Sequence, residues 1–238
     1  MARVLVAGSA GMLGTDLCAV LDDGGHAVAR ADLPDLDVLD PASCAEHVAG
    51  HDVVVNCAAY TAVDAAEGDE ARAFGVNATG AANLARATHA AGAALVHVST
   101  DYVFDGEADR PYAADAPLAP RSAYGRTKAA GEWAVRAECP RTWLVRTAWL
   151  YGVHGRSIPA TVARLAATRD RLAFVDDQVG QPTWTVDLAH GIRRLVEARA
   201  PFGTWHGTNA GETTWRGLAQ AVLEELGEDP ERVDGLTT

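Results

Sequence analysis

Tyr124 and Lys128 stand four residues apart. On a helix, positions i and i+4 share a face. A free phenol titrates near pH 10 and is a poor proton donor at neutral pH unless tuned. A neighbouring ammonium favours the phenolate and brings that pKa down. The chain has 19 arginines, five tyrosines and a single lysine, Lys128. Chance places a tyrosine four residues ahead of that lysine only about 2% of the time, which argues against a surface coincidence. Where arginine is chosen everywhere else, one lysine points to a need for its compact ammonium. Upstream, Ser99-Thr100-Asp101 closes an aliphatic run. The Thr100 hydroxyl can bond a substrate oxygen and share in proton transfer. Together these groups suit reduction of a ketone, with Tyr124 giving a proton to the oxygen and a nicotinamide providing the hydride.

A dinucleotide needs a cradle, and the N-terminus offers one. Val4–Ala7 runs into Gly8-Ser9-Ala10-Gly11-Met12-Leu13-Gly14, and a helical pattern follows. Gly8 allows the tight turn, Gly11 lets backbone N–H groups approach a pyrophosphate, and Gly14 lets helix and strand pack closely. The helix N-terminus adds partial positive charge. The spacing is G-x-x-G-x-x-G, so its place between a strand and a helix carries the assignment rather than the pattern itself. Asp32 follows at the end of the next strand, where a carboxylate bonds ribose hydroxyls and repels a 2′-phosphate. Arg30 lies close enough to favour that phosphate, although a solvated charge is the simpler reading. Asp37-Val38 falls where the adenine would lie, and Asn56-Cys57-Ala58-Ala59 ends a third strand with small residues that leave room for the middle of a cofactor.

The elements that must hold these residues alternate. Val4–Ala7, Ala27–Ala31, Val53–Asn56, Leu95–Val98 and Trp143–Arg146 are short aliphatic runs without strict alternation, as expected of strands buried on both faces. Helical patterns lie between them at about 12–23, 69–91 and 123–137. The sequence therefore predicts an α/β fold, a doubly wound parallel sheet of the Rossmann type. Residues 1–150 would form the dinucleotide-binding domain, with contributions from later segments. Helical periodicity returns at about 157–168, 186–199 and 214–226 among Gly, Pro and Trp, which predicts a smaller C-terminal substrate lobe over 151–238.

Composition excludes several other classes. With 238 residues, 48% of them hydrophobic, the chain can bury a large core without staples. The net charge of −12 argues against a nucleic-acid surface or a polybasic membrane anchor. No apolar run approaches the roughly 20 residues of a membrane span, and no signal peptide opens the chain. Cys18, Cys44, Cys57 and Cys139 are scattered, with no C-x-x-C, as suits a reducing cytoplasm. The histidines lack metal-ligand spacing, and His97 and His206 lie in strand-like runs where packing is the simpler role.

Taken together, the glycine loop and the Thr/Tyr/Lys set resemble the extended short-chain dehydrogenase/reductases. Five stretches narrow the resemblance to the dTDP-4-dehydrorhamnose reductases. They are Asn56-Cys57-Ala58-Ala59-Tyr60-Thr61-Ala62-Val63-Asp64, Ser99-Thr100-Asp101-Tyr102-Val103-Phe104-Asp105-Gly106, Tyr124-Gly125-Arg126-Thr127-Lys128, Arg146-Thr147-Ala148-Trp149-Leu150-Tyr151-Gly152 and Asp177-Gln178-Val179-Gly180-Gln181-Pro182-Thr183. The resemblance implies cofactor contacts (NADPH or NADH) at Gly11, Met12, Leu13, Asp32, Asp37, Val38, Ala59, Tyr60 and Thr61. To these the reading of the residues adds Gly8, Gly14, Ala58, Tyr124 and Lys128. The resemblance also implies substrate contacts at Thr100, Asp101 and Trp149, with a dTDP-4-keto-6-deoxy sugar as substrate. The family's chains usually run several dozen residues further, so the substrate lobe is expected to be truncated here. Some relatives bind Mg2+ through acids at a dimer contact. A homodimer is thus a further expectation, but Asp16 is the one matching acid, which argues against the metal. Two alternatives stay open: a sibling sugar-nucleotide epimerase or dehydratase, and a non-catalytic, cofactor-binding regulatory subunit. The dehydratase is disfavoured because Thr100 is followed by Asp101-Tyr102 rather than an Asp-Glu pair.

Overall fold

The computed structural model describes residues Met1–Thr238. In chain order the elements are β1 (Arg3–Ala7), α1 (Met12–Asp23), β2 (Ala27–Ala31), α2 (Pro41–Val48), β3 (Val53–Asn56), α3 (Val63–Ala66), α4 (Glu70–Phe74) and, after a π-helical turn at Gly75–Gly80, α5 (Ala81–Ala90). Then come β4 (Ala94–Thr100), α6 (Ala123–Glu138), β5 (Thr142–Thr147), β6 (Leu150–Tyr151), α7 (Ile158–Ala166), β7 (Leu172–Val175), β8 (Val179–Gly180) and β9 (Thr183–Trp184). The chain closes with α8 (Thr185–Glu197), β10 (Gly203–His206), β11 (Thr213–Thr214), α9 (Trp215–Glu225) and β12 (Val233–Leu236).

Six strands form one parallel sheet in the order β10-β5-β4-β3-β1-β2. β2 and β3 flank β1 on opposite sides, so the winding direction reverses at β1/β3. In open α/β sheets the crevice beyond the strand C-termini at such a reversal is where ligands bind. One face of the sheet is covered by α1 and α8, which enclose Leu17, Leu21, Leu188 and Ile192 against Val4, Val6, Val55 and Val96. The other is covered by α2, α5 and α6, with Leu84, Ala85 and Val135 against Leu5, Val54 and Leu95. Successive strand residues thus feed two cores, which is why these strands read as continuous aliphatic runs. A third, smaller core of Val162, Leu172, Ala219, Leu223 and Val233 joins α7, β7, α9 and β12.

The five expected strands and the helices at 12–23 and 123–137 fall within a residue or two of their sequence boundaries. The helical pattern at 69–91 is interrupted: α4 and α5 are separated by the π turn. The sheet also takes its edge strand, β10, from beyond residue 200, paired in parallel register with β5 (His206 with Arg146).

Candidate active site

The glycine loop sits against the neighbouring strand end so closely that two of its glycines are obligatory. Gly8 has φ +76°, and a Cβ there would lie 2.6 Å from the Ala58 nitrogen. A Cβ on Gly14 would lie 2.1 Å from the Gly8 carbonyl oxygen. Gly11 differs: its Cβ would meet only the Gly8 oxygen at 3.3 Å, and it lies exposed at the N-terminus of α1. That terminus has no side-chain cap and no acid in its first turn. Its free N–H groups and positive dipole end suit a pyrophosphate, and the bare Gly11 backbone allows the approach. Met12 and Leu13 open the helix behind it. Asp32 accepts the backbone N–H groups of Ala10 and Leu33, both at 2.9 Å, so it braces the glycine loop while keeping lone pairs for a ribose diol. Arg30 is ion-paired with Asp22 at the end of α1. Asp37 accepts the N–H of Leu39, and Val38 is buried with its carbonyl bonded to Asn83.

Asn77 was not singled out by sequence, yet it shapes the cofactor loop. It sits in the π turn, buried, and its carboxamide bonds both the N–H and the C=O of Tyr60 (2.8 and 3.1 Å) and the Thr127 hydroxyl on α6 (3.0 Å). It therefore fixes Ala59-Tyr60-Thr61 relative to the helix that carries Tyr124 and Lys128. Asn56 does the same one step earlier, accepting the Ala58 N–H and donating to His97 Nδ1. That bond leaves the proton on His97 Nε2, which is buried without a partner, and burial holds the imidazole neutral by driving its pKa well below the usual value.

Thr100, Asp101, Tyr124 and Lys128 converge at the C-terminal edge of the sheet. Thr100 ends β4; its hydroxyl donates to Asp101 (2.9 Å) and accepts the Tyr102 N–H. Ser122 caps α6, accepting the Gly125 N–H, and places Tyr124 in the first turn and Lys128 one turn on. Both are buried, 9% and 2% exposed, so neither is a surface group. Lys128 Nζ donates to the Val98 carbonyl at 2.7 Å, leaving two of its three donors for ribose hydroxyls. Burial lowers the amine to about 8, with Glu132, one turn further along α6, opposing that shift.

The tyrosine departs from expectation. Its pKa is raised, not lowered: burial is the largest cause, the Asp101 charge adds to it, and hydrogen bonding with Thr100 opposes it. Lys128 spends its charge on the Val98 carbonyl and on Glu132 rather than on the phenol. A phenol that holds its proton is still a competent acid toward an alkoxide, which is a far stronger base than phenolate. Asp101 is likewise pushed up by burial. Thr147, paired across the sheet with Thr100, carries a buried hydroxyl with no protein partner. It lies beside the reacting groups, and sequence reasoning did not single it out as a site residue.

Beneath this edge the sheet holds a buried ion pair. Glu132 accepts from Arg146 through both carboxylate oxygens (2.8 and 2.7 Å) and from Ser99 (2.7 Å). Trp149, just past β5, adopts φ +47°, a conformation that costs a residue with a Cβ about 1–2 kcal/mol, and stacks on Trp215. Asp16, the one candidate metal ligand, is bonded to Thr185 and lies 3.5 Å from His154. Within the chain, no group of three or more His, Cys, Asp or Glu side chains is placed to hold a metal ion.

Residues 2–238 match the family model described as the RmlD substrate binding domain. The chain belongs to this family. Among characterised relatives, a Streptomyces griseus dTDP-4-dehydrorhamnose reductase is 49% identical over 99% of this chain and 80% of its own length. A Streptomyces niveus dTDP-4-keto-6-deoxy-D-glucose reductase is also 49% identical, over 97% of this chain and 81% of its own. Among solved RmlD-type structures, the Bacillus anthracis dTDP-4-dehydrorhamnose reductase in complex with NADP has TM-score 0.94 at 34% identity, covering 100% of this chain and 85% of that one. The likeness spans the whole chain, and so includes the glycine loop, the edge with Thr100, Tyr124 and Lys128, and the small third core.

Proposed function

We propose that this protein is an NADPH- or NADH-dependent reductase acting on the 4-keto group of a dTDP-4-keto-6-deoxyhexose, with dTDP-4-dehydrorhamnose or a close relative as substrate. The observation that carries the reading is the buried Thr100–Tyr124–Lys128 set on the same sheet edge as the glycine loop, in a chain 49% identical to two reductases of such sugars. The loop residues Gly8, Gly11, Met12, Leu13 and Gly14, with Asp32, Asp37, Val38 and Ala58–Thr61, would hold the dinucleotide, which provides a hydride when bound.

The chain's own groups do the rest. Thr100, turning its single hydroxyl proton from Asp101 to the substrate, holds the carbonyl oxygen of the sugar by a hydrogen bond. Tyr124, kept protonated by burial, delivers its proton to that oxygen as negative charge develops there. Lys128, still largely protonated at neutral pH, bonds ribose hydroxyls with its two remaining donors and so sets the cofactor against Tyr124. Asp101 and Trp149 contact the sugar. The proposal includes the division into a cofactor portion, 1–150 with contributions from later segments such as α8 and β10, and a smaller substrate portion within 151–238, and a cytoplasmic homodimer as the working form. No helix is long and apolar enough to cross a membrane.

Asp32 would bond the ribose diol, while Arg30, in an exposed pair with Asp22, can turn to a 2′-phosphate and partly offset the repulsion by Asp32, so both cofactors are accepted with less than about a thousandfold preference, ~4 kcal/mol. The test is oxidation of NADPH and NADH with a panel of dTDP-4-keto-6-deoxyhexoses, with product stereochemistry read by NMR. Turnover with retained C3 and C5 configuration supports the reductase. Epimerised product without cofactor consumption favours the epimerase, and cofactor binding without turnover favours the regulatory subunit.

A further inference from the structure

Two side chains of α6 grip consecutive residues of β4. Lys128 Nζ donates to the Val98 carbonyl at 2.7 Å, and Glu132 accepts the Ser99 hydroxyl at 2.7 Å. Both contacts fall just ahead of Thr100, and positions 128 and 132 lie one helical turn apart on a single face. Glu132 is fully buried. Its two oxygens take four donors: Ser99 and Arg146 Nε on one, Arg146 Nη2 and Arg136 on the other. A carboxylate offers about four such sites, so no place remains for a proton and Glu132 sits there as the anion.

A buried ion pair is a poor source of stability, since apolar side chains of similar volume often serve the fold as well or better. What this pair adds is a charge beside Lys128. The groups around that ammonium come from four elements: Tyr124 and Glu132 from α6, His97 from β4, Cys57 from the end of β3 and, behind Glu132, Arg146 from β5. Burial keeps the Cys57 thiol and the Tyr124 phenol protonated and the His97 imidazole neutral. Arg146 stands on the side of β4 away from β3, with its guanidinium bound to Glu132 and to the Ala114 carbonyl. Among these groups Glu132 supplies the charge that favours the ammonium, against the burial that disfavours it.

We propose that Glu132 is a positioning residue for cofactor binding: anchored by Arg146 and Ser99, its carboxylate keeps Lys128 an ammonium seated on the Val98 carbonyl, with two N–H donors free for the ribose. The inference rests on the dinucleotide reading above and adds to it a residue that acts through Lys128. The single lysine makes it directly testable, because lysine labelled with 13C at Cε reports Lys128 alone. In the wild type that signal titrates at about pH 8. In Glu132→Met/Arg146→Met, which removes the pair without stranding either charge, the midpoint falls by about one pH unit. The double variant then binds NADPH about tenfold more weakly than wild type at pH 9, where both amines are mostly neutral. At pH 6.5, where both are mostly protonated, the affinities agree within about twofold.

The measurements are the 13C titration of Lys128 and calorimetric titration with NADPH at pH 6.5 and pH 9, on wild type and variant, with near-UV circular dichroism to check the fold. An unmoved Lys128 midpoint in the folded variant overturns the inference. So does an NADPH defect of equal size at both pH values, which would mark the pair as a structural clamp. If the double variant does not fold, Glu132→Gln decides by the same criteria. That variant keeps the shape and removes the charge, and with the Arg146 cation left in place its midpoint falls further. Wild-type binding separates the two layers. NADPH binding with an unmoved variant midpoint sinks only the role of Glu132. A wild type that binds neither NADPH nor NADH sinks the cofactor reading and the binding role with it, while the lysine titration still reads whether Glu132 holds the charge.

Discussion

Replacing Lys128 by methionine should make the protein more stable and less active at once. Lys128 is 2% exposed, and burial lowers its amine from 10.5 to about 8. At 1.36 kcal/mol per pKa unit, keeping that proton at pH 7 costs the folded state about 3 kcal/mol relative to the unfolded chain. Methionine fills a similar volume without charge. The substitution also forfeits the hydrogen bond to the Val98 carbonyl, worth about 1–2 kcal/mol. The net is a gain of about 1–2 kcal/mol, or a Tm rise of about 2–8 °C for a chain of this length. The pH dependence has a definite sign. Between about pH 8 and 10.5 the unfolded wild type still carries the proton that the folded wild type has released, so wild-type stability rises with pH through that window. The advantage of the methionine variant is therefore full at pH 7 and gone by about pH 10.5. Thermal or urea unfolding at several pH values measures it, and NADPH titration reads the functional loss, expected to be tenfold or more. A less stable variant at pH 7, or a difference that ignores pH, would refute the idea that the ammonium is held there at a cost.

Other substitutions probe separate parts of the account. Tyr124→Phe should keep the fold and NADPH binding and lower kcat by at least about a hundredfold, in a steady-state assay; Thr100→Ala should lose less, since water can replace its hydrogen bond. Gly14→Ala drives a Cβ into the Gly8 carbonyl and should cost several °C in Tm. Gly11→Ala, with only a 3.3 Å contact, should leave Tm nearly unchanged while weakening cofactor binding about tenfold or more, by calorimetry. Arg146→Met strands the buried Glu132 carboxylate and should destabilise by about 3–5 kcal/mol in urea unfolding.

Much of the architecture was legible because the strands are buried on both faces and their aliphatic runs stand out. β10 was not placed in the sheet because Gly203-Thr204-Trp205-His206 is an edge strand, mostly exposed, with no apolar run to mark it. The π turn leaves the overall helical pattern intact, so the inserted residue is invisible until the backbone is seen. Asn77 follows from it: a single asparagine on a buried helical face among Ala and Gly was the available signal. Glu132, four residues after Lys128, reads as a surface i,i+4 partner, whereas Arg146 inside the aliphatic strand Thr142–Thr147 already demanded a buried acid. The direction of the Tyr124 pKa could not be read from spacing. An i+4 ammonium lowers a phenol only if it faces it in a polar setting, and here burial and Asp101 outweigh it.

The central claim is that the Thr100–Tyr124–Lys128 edge reduces a sugar ketone, and isotope transfer tests it most directly. Turnover of a dTDP-4-keto-6-deoxyhexose with NADPH deuterated at the transferred position of the nicotinamide should place the label on C4 of the product sugar, seen by NMR. Tyr124→Phe should suppress that transfer at least about a hundredfold while still binding NADPH. Absence of label at C4, or its undiminished appearance with Tyr124→Phe, would contradict the account.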